Sequence, residues 1–208
     1  MNASLRVLIL AFDGVEALDF AGPFEVFTTA SRVHARLHPD AAPLFEVKSV
    51  AAGEPVLARA GLKLLADHRF GDAPQSDVLI VPGGVVDAAW ADVATREWIA
   101  AQSTGARISA SVCTGAFLLA AAGVLRGSER VTTHWEDIAE LRERFPDLDV
   151  VDDARWVDNG RVVTSAGISA GIDMSLHLVE RLAGRELAQR TARQMDFAWT
   201  THHLAPSA

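Results

Sequence analysis

Continuous apolar runs and amphipathic stretches alternate along the chain. Residues 5–12 form an apolar run around one arginine, which is typical of a strand buried on both faces of a parallel sheet. Such a strand needs helices on both sides of its sheet, and strand-like and helix-like segments alternate throughout. The pattern therefore predicts an α/β fold, a three-layer sandwich with a largely parallel central sheet.

The same pattern gives the bounds of the predicted elements. After the first strand, strands are predicted over residues 45–52, 77–81 and 107–112, with short extended pieces in 56–66 and 130–133. Helices are predicted over residues 16–32, 92–103, 114–125, 135–145, 169–182 and 185–197. Gly127 is expected to end the helix over 114–125, because glycine readily takes the left-handed conformation that follows a helix.

A hairpin is predicted in the last third of the chain. Strand-like residues 154–157 and 161–165 flank Asp158, Asn159 and Gly160. An Asn-Gly pair between two such runs favours a tight turn, because both residues tolerate positive φ.

Composition agrees with a packed domain and argues against some partners. Half of the 208 residues are hydrophobic and 22% are charged, which are ordinary proportions for a globular protein. The length fits one domain, residues 1–208, with a full core. The net charge of −8 offers no basic surface for phosphates, so we expect no nucleic-acid partner for this chain alone.

The sequence indicates neither a membrane role nor secretion. The longest apolar run, residues 116–125, is too short to span a bilayer. The first residues lack a basic region and a small-residue cleavage site, and the single cysteine cannot form an intrachain disulfide. We therefore expect a cytoplasmic protein.

The only cysteine lies where a strand-like run changes to a helix-like one. Ser111-Val112-Cys113-Thr114-Gly115 has small residues on both sides of a nucleophile, the pattern of a sharp strand-to-helix elbow. The following helix directs its N-terminus at the sulfur and should favour the thiolate. The alternative is a buried cysteine that packs as a small hydrophobe. We favour the nucleophile, because ligands in such sheets bind beyond the carboxyl ends of the strands.

Motifs over nearly the whole chain resemble those of one superfamily. They are ASVCTGAFLLAAAGVLRG at 110–127, VTTHW at 131–135, Leu18-Asp19 with GPFEV at 22–26, VPGG at 81–84 and TSAGISAGID at 164–173. Together they resemble the ThiJ/PfpI superfamily, whose fold is flavodoxin-like and similar to that of class I glutamine amidotransferases. Within it, the cysteine and VTTHW motifs look most like those of isonitrile hydratases and of the sensor domains of AraC-type transcription regulators.

The resemblance implies a catalytic site around Cys113. Asp19 matches an acidic residue beside the family's reactive sulfur and would act as proton donor and acceptor, with Thr114 as a third catalytic residue. A carboxyl beside a thiolate in a desolvated pocket has a raised pKa, so its proton hydrogen-bonds the sulfur. The alternative for Asp19 is a helix N-cap.

Other residues would shape the substrate pocket. Gly84 matches a glycine whose backbone N–H, with that of Thr114, forms an oxyanion-binding pair, since a residue without a side chain lets the backbone approach a substrate. His134 matches a histidine near the family's active site, although VTTHW also fits a packed strand-end residue. The far side of the pocket would be lined by Gly167, Ile168 and Ala170.

Departures from the superfamily narrow the expected activity. Many of its proteases carry a histidine directly after the cysteine, where this chain has Thr114. Amidotransferases need a late His-x-Glu pair, which the sequence lacks even at His202-His203. The AraC-type regulators add two helix-turn-helix units, and this sequence has none, so we expect no DNA binding of that kind by this chain alone.

Three functions agree with these residues. The first is a hydratase that needs no cofactor or metal and converts isonitriles to formamides through a thioimidate on Cys113. The second is a non-catalytic metabolite or redox sensor, and the third is glyoxalase-type action on small aldehydes. An apolar, roomy pocket would favour an organic substrate, and a shallow exposed site would favour oxidation sensing. The resemblance also implies a homodimer, and His34 and His38 are expected to be solvated surface rather than metal ligands.

Overall fold

The computed structural model describes residues 4–201 and contains helices and strands in alternation. The strands are β1 Leu5–Ala11, β2 Phe45–Ala51, β3 Val56–Leu57, β4 Lys63–Leu64, β5 His68–Arg69, β6 Val78–Val81, β7 Ile108–Val112, β8 Arg130–Val131, β9 Asp149–Val150, β10 Trp156–Asp158 and β11 Val162–Ser165. The helices are α1 Ala17–Leu37, α2 Asp87–Ala91, α3 Val93–Gly105, α4 Gly115–Ala121, α5 Ile138–Arg144, α6 Ala170–Ala183 and α7 Arg185–Gln194. Short 3-10 turns cover Arg59–Gly61 and Trp135–Asp137.

Seven strands form the central sheet, in the order β10-β11-β7-β6-β1-β2-β5. All neighbouring pairs are parallel except β10 with β11, which are antiparallel. Strand β6 follows β2 and β5 in the chain but lies on the other side of β1. The direction of winding therefore reverses between β1 and β6, the position at which sheets of this kind bind their ligands.

Alternate side chains of β1 enter two separate hydrophobic cores. Val7 and Ile9 pack in the core that includes Phe27 of α1 and residues of α6 and α7. Leu8 and Leu10 pack in the core that includes Leu118 of α4 and residues of α3. Because successive residues of a strand point to opposite faces, a strand that is apolar throughout needs both helical layers. The predicted three-layer α/β fold is confirmed.

The predicted hairpin is present as β10 and β11. The Asn159 N–H donates to the Val162 carbonyl at 2.9 Å, and Gly160 has φ of +84°. The extended pieces predicted in 56–66 are the short antiparallel pair of β3 and β4.

The helix predicted over 114–125 is shorter than expected. Helix α4 ends at Ala121, and Gly123, with φ of +68°, takes the left-handed conformation. The placement of the helix end at Gly127 is therefore wrong, although Gly127 also has a positive φ, of +55°, in the next turn. Leu125 remains buried beyond the helix, so the apolar pattern continues after the helical backbone has stopped.

The carboxyl ends of β1, β6 and β7 meet at one edge of the sheet, here called the carboxyl edge. The loops that leave this edge carry the residues singled out in the sequence. Among residues 4–201, no helix combines the length and hydropathy required to cross a bilayer. His202 and His203 lie outside the described residues.

Candidate active site

Cys113 occupies the turn between β7 and α4 in a conformation that L residues rarely adopt. Its φ is +56°, in the left-handed region that costs a non-glycine residue about 1–2 kcal/mol. The turn is closed by Gly115, because a Cβ at that position would lie 2.1 Å from the Val81 carbonyl oxygen. The sharp elbow predicted from the small neighbours of the cysteine is present.

Asp19 reaches the elbow from the first turn of α1. The residue is fully buried, and its Oδ2 accepts a hydrogen bond from the Gly83 N–H at 3.2 Å. Within residues 4–201, no nitrogen or oxygen donor reaches its Oδ1, and the Cys113 thiol is the side chain that interacts with the carboxyl. The N-cap of α1 is Glu16, so the alternative interpretation of Asp19 as the cap is wrong.

Burial dominates the electrostatics of this pair. Burial raises the pKa of Asp19 to about 6, although hydrogen bonds from the Cys113 thiol and the Gly83 N–H act in the opposite direction. Burial and then the Asp19 charge raise the pKa of Cys113 to about 12, although the Thr114 N–H at the start of α4 acts in the opposite direction. The expected net lowering of the thiol pKa is therefore wrong, because the helix N-terminus does not outweigh desolvation.

The two groups titrate as one coupled pair. Between pH values of about 6 and about 12, the pair of Asp19 and Cys113 carries one proton and one negative charge. Proton transfer from the thiol to the carboxylate gives the thiolate beside a carboxylic acid, without change in the total charge. The arrangement can therefore present a thiolate beside a carboxylic acid while it holds a single proton.

Thr114 and Gly84 bind each other. The Gly84 N–H donates to Thr114 Oγ1 at 2.8 Å, and the Thr114 hydroxyl donates to the Gly84 carbonyl at 2.9 Å. The Gly84 N–H is thus already engaged, in contrast to the expected oxyanion-binding role. Gly84 needs to be glycine because a Cβ there would lie 2.2 Å from the Gly14 carbonyl oxygen, which is a contact within the protein.

Gly83 packs directly against Cys113 and Thr114. A Cβ at this position would lie 2.5 Å from both the backbone N and Oγ1 of Thr114, and 2.9 Å from Cys113 Cβ. Its N–H holds Asp19. The VPGG motif contained this residue, but sequence reasoning assigned the role to its neighbour because a motif does not show which glycine approaches the nucleophile.

His134 lies just beyond β8 and lines the cavity above Cys113. Its Nε2 is 3.4 Å from Glu136 Oε2, and its buried Nδ1 has no hydrogen-bond partner among residues 4–201. The preceding Thr133 donates its hydroxyl hydrogen bond to the Cys113 carbonyl at 2.9 Å. The VTTHW segment is therefore packed against the elbow and also exposes the His134 ring to the site.

The three residues predicted for the far wall have different positions. Ile168 lines the cavity, with φ of +49° and a 39% exposed side chain. Gly167 packs on His134, since a Cβ on it would lie 1.9 Å from His134 Nδ1. Ala170 is buried at the start of α6. Neither Gly167 nor Ala170 is among the lining residues, so the structure does not bring these two to the cavity wall as expected.

The cavity above Cys113 has a volume of about 300 Å³ and a mixed lining. Its apolar wall consists of Val85, Val86, Phe117 and Ile168. Its charged side chains are Glu16, Asp87, Glu136, Asp137, Glu140, Arg59 and Arg144. Sequence reasoning missed these charged residues, because they belong to no motif and come from four separate segments of the chain.

The cavity is neither the apolar, roomy pocket nor the shallow, exposed site that were considered from the sequence. It is roomy enough for a small organic molecule, but its lining is more polar than expected for an isonitrile site. In residues 4–201, no group of three His, Cys, Asp or Glu side chains is arranged to hold a metal. His34 and His38 lie near the other end of α1, with ring centroids 4.7 Å apart.

The chain is similar to proteins of one known family. The profile of the DJ-1/PfpI family matches residues 5–181. The isonitrile hydratase of Pseudomonas putida is 35% identical over 198 residues, which are 94% of this chain and 79% of that protein. A ThiJ/PfpI family protein from Pseudomonas syringae has a crystal structure that matches with a TM-score of 0.82 and 28% identity, covering 99% of this chain and 80% of that one.

A transcription regulator is also similar to the chain. The HTH-type transcriptional regulator CdhR of Pseudomonas aeruginosa is 31% identical over 185 residues, which are 89% of this chain and 53% of the regulator. The chain thus spans about half the length of that protein. The resemblance stated from the sequence motifs is confirmed by these comparisons.

Proposed function

Because the chain belongs to the DJ-1/PfpI family, we propose that it is a cysteine-dependent hydratase that converts isonitriles to N-substituted formamides without a cofactor. In this proposal residues 1–208 form one domain, and two copies associate as a homodimer. Cys113 is the nucleophile, Asp19 transfers protons, and Thr114 orders the reacting groups.

One observation carries the proposal. A cysteine with a strained backbone lines a cavity that admits a small molecule and interacts with a wholly buried carboxyl, and burial raises the pKa of both groups. Addition of water to an isonitrile needs a nucleophile for the terminal carbon and a proton for the same carbon, and this pair supplies both. The similarity to the isonitrile hydratase of Pseudomonas putida supports the same chemistry.

The first step forms a covalent intermediate. The Cys113 thiolate attacks the terminal isonitrile carbon and forms a carbon–sulfur bond, while the Asp19 carboxylic acid protonates that carbon. The product is a thioimidate, with a carbon–nitrogen double bond, and Asp19 is left as a carboxylate. No charge is gained or lost, so the buried site does not have to accommodate a second negative charge.

The second step consumes water and restores the enzyme. The Asp19 carboxylate takes a proton from water as the oxygen adds to the thioimidate carbon, and Asp19 then passes this proton to the nitrogen. Collapse of the resulting adduct breaks the carbon–sulfur bond and forms the formamide carbonyl. The hydroxyl proton of the adduct returns to Asp19, so the thiolate and the carboxylic acid are regenerated.

A metabolite sensor is the second candidate function. The similarity to a transcription regulator favours it, since the same cavity would then bind a ligand without turning it over. Deep burial of Cys113 and its raised pKa argue against direct sensing of oxidants, because the exposed thiolate is the form that reacts.

Activity assays with the Cys113→Ala variant test the proposal. We expect the wild type to form formamides from an aliphatic or an aromatic isonitrile, and the variant to lose at least ~1,000-fold of this rate because the covalent route is removed. The melting temperature and circular dichroism spectrum of the variant should remain close to those of the wild type, because the substitution removes only one heavy atom. Product is measured by NMR.

Two outcomes would contradict the hydratase. One is formamide production by the alanine variant at the wild-type rate. The other is a wild type that turns over methylglyoxal but neither isonitrile, which would favour the glyoxalase alternative. Saturable binding of isonitriles to the wild type with no product would favour the sensor.

A further inference from the structure

The charges around the cavity are unbalanced. Five carboxylates and two guanidinium groups line it, and the Asp19–Cys113 pair at its base adds another negative charge at neutral pH. The excess is visible only in the folded protein, because the residues come from separate segments of the chain.

Both arginines of the lining are already paired with glutamates. Arg59 Nη1 is 3.5 Å from Glu16 Oε2, and Arg144 Nη2 is 2.5 Å from Glu140 Oε1. The Arg144 guanidinium also lies 4.6 Å from the centroid of the Trp90 ring. These two cations therefore neutralise their own partners and leave no free positive charge for an anionic ligand.

Three carboxylates of the lining have no arginine or lysine partner in the part of the chain from 4 to 201. They are Asp87 in the first turn of α2, and Glu136 and Asp137 in the turn before α5. Glu136 Oε2 lies 3.4 Å from His134 Nε2. Burial raises the pKa of Asp137, as do the neighbouring charges of Glu140 and Glu136, while His134 lowers it. The cavity lining therefore carries an excess of negative charge.

Cys113 is the residue of the lining that would react with a ligand. It is 6% exposed, and the fully buried Asp19, whose carboxyl interacts with the Cys113 thiol, has an oxygen without a nitrogen or oxygen donor among residues 4–201. Phe117 and Ile168 add apolar surface to the same lining. A molecule with a small electrophilic end and a positively charged end would therefore find partners for both ends in one cavity.

We propose that the cavity selects small ligands that carry a positively charged group, such as an alkylammonium, and discriminates against ligands that carry a carboxylate. The inference rests on the proposed function for the identity of the reacting end, and on the charges of the lining for the other end. The alkylammonium lies against Asp87, Glu136 and Asp137, while the reactive carbon lies at Cys113. Low-dielectric walls strengthen this selection relative to that on an open surface.

The single cysteine allows the charge preference to be measured without turnover. Methanethiosulfonates that differ only in the group they carry, 2-trimethylammonioethyl, 2-hydroxyethyl or 2-sulfonatoethyl, react with the Cys113 thiolate. A disulfide forms, the bond between the reagent's two sulfur atoms breaks, methanesulfinate leaves, and the thiol proton goes to buffer. The labelling rate is followed by intact mass and divided by the rate for 2-mercaptoethanol, a neutral thiol, with the same reagent.

We expect the normalised rate to be ~10-fold or more higher for the cationic than for the anionic reagent, with the neutral one between them. The double variant Glu136→Gln with Asp137→Asn should reduce this ratio by ~3-fold or more, and added salt should reduce the wild-type ratio. Asp40→Asn is the matched control, because it removes an exposed charge at the opposite edge of the sheet; the ratio should stay within ~1.5-fold of wild type.

A normalised ratio near one, or an equal fall in the ratio for Asp40→Asn and for the double variant, would overturn the inference. Failure of the proposed function gives a different result, because labelling does not need hydration. In that case the cationic preference persists while no isonitrile is turned over. If both hold, an isonitrile with a quaternary ammonium has a higher kcat/KM than one with a carboxylate, and the double variant narrows this difference.

Discussion

At the scale of single residues, Cys113 is held in its left-handed conformation by closely packed neighbouring atoms. Gly83 and Gly115 let the backbone of residues 81–83 approach the elbow closely. Cys113 keeps its left-handed conformation because the packing of its neighbours outweighs the preference of its backbone for negative φ. The strain is therefore maintained by small residues at fixed positions, not by the cysteine itself.

Gly83→Ala tests how far the site depends on this close approach. The new methyl group would lie 2.5 Å from the Thr114 backbone N and 2.9 Å from Cys113 Cβ, and neither atom belongs to the far end of a flexible side chain. We expect a loss of ~1–3 kcal/mol in the free energy of unfolding from overpacking. Displacement of Asp19 and Cys113 by ~1 Å should lower kcat/KM by ~100-fold. Urea unfolding and steady-state rates measure the two effects.

Gly53→Ala is the control for this substitution. A Cβ on Gly53 meets no heavy atom within 4 Å, so stability should change by no more than ~0.5 kcal/mol. Equal effects of the two alanines on stability and activity would show that the approach of Gly83 to the elbow has no special role.

The sequence predicted the pair of Cys113 and Asp19 better than its surroundings. Cys113 was identified from the small residues around it at a strand-to-helix change and Asp19 from the family resemblance, and the fold brings the two side chains together. Asp87, Glu136 and Asp137 were not identified, because charged residues on short turns have no periodicity and reach the cavity only through tertiary packing. The predicted direction of the shift in the thiol pKa was also wrong, because the burial of a side chain cannot be predicted from its neighbours in the sequence.

At the scale of elements, prediction succeeded where a hydrophobic period lasted for more than one turn or for several strand residues. The strands that build the centre of the sheet were found within one or two residues of their bounds. Strands β5 and β9 have two residues each, and α2 has five, which is too short for a period. These elements are defined by their partners rather than by their own pattern.

One buried ion pair joins three elements next to the site. Asp173 of α6 is fully buried and lies 2.6 Å from Nε of Arg155, the residue before β10. It also accepts the Thr200 N–H at 2.7 Å, which fastens the segment after α7. Arg155 further donates to Ser169 Oγ at 3.2 Å, beside Ile168. The pair therefore connects the hairpin, α6 and the wall of the cavity.

Arg155→Ala should be strongly destabilising because it leaves the Asp173 carboxylate buried without its cation. Loss of one partner of such a pair costs ~3–5 kcal/mol. Burial already raises the pKa of Asp173, so proton uptake should reduce this loss as the pH is lowered. Urea unfolding at two pH values measures both the loss and its pH dependence.

Arg130→Ala provides the matched comparison. Arg130 and Asp153 are 3.2 Å apart with side chains 53% and 68% exposed, and pairs of this kind contribute ~1 kcal/mol or less. A loss of stability for Arg155→Ala no larger than that for Arg130→Ala would mean that the buried pair does not fasten these elements.

At the scale of the whole molecule, the parallel sheet determines where chemistry is possible. The carboxyl ends of β1, β6 and β7 lie side by side, so the loops that carry Asp19, Gly83 and Cys113 converge although they are far apart in the chain. The same arrangement buries a carboxyl and a thiol together. Burial of ionisable groups opposes folding, so we expect these two side chains to lower the free energy of unfolding of the protein.

The dependence of stability on pH tests this cost for Asp19. Its pKa rises from the usual 3.8 to about 6 on folding, so the unfolded chain releases this proton at lower pH than the folded protein does. The contribution of Asp19 to the free energy of unfolding therefore falls as the pH rises from about 4 to about 6 and is constant above that range. The difference between the two pKa values corresponds to ~3 kcal/mol. Asp19→Asn, which has no proton to lose, should be more stable than wild type by up to this amount above pH 6.

Comparison of the two proteins across pH isolates Asp19, because every other titrating group is common to both and cancels. The difference in unfolding free energy between the two proteins should be small at pH 4, increase through pH 5 and reach its full value near pH 7. The asparagine variant should also lose hydratase activity. Asp40→Asn should give a difference that stays within ~0.5 kcal/mol across this range. A difference between Asp19→Asn and wild type that does not change between pH 4 and pH 7 would mean that Asp19 ionises equally easily in both states. The proton of the pair would then stay on the Cys113 thiol at neutral pH, because burial would not favour its transfer to the Asp19 carboxylate.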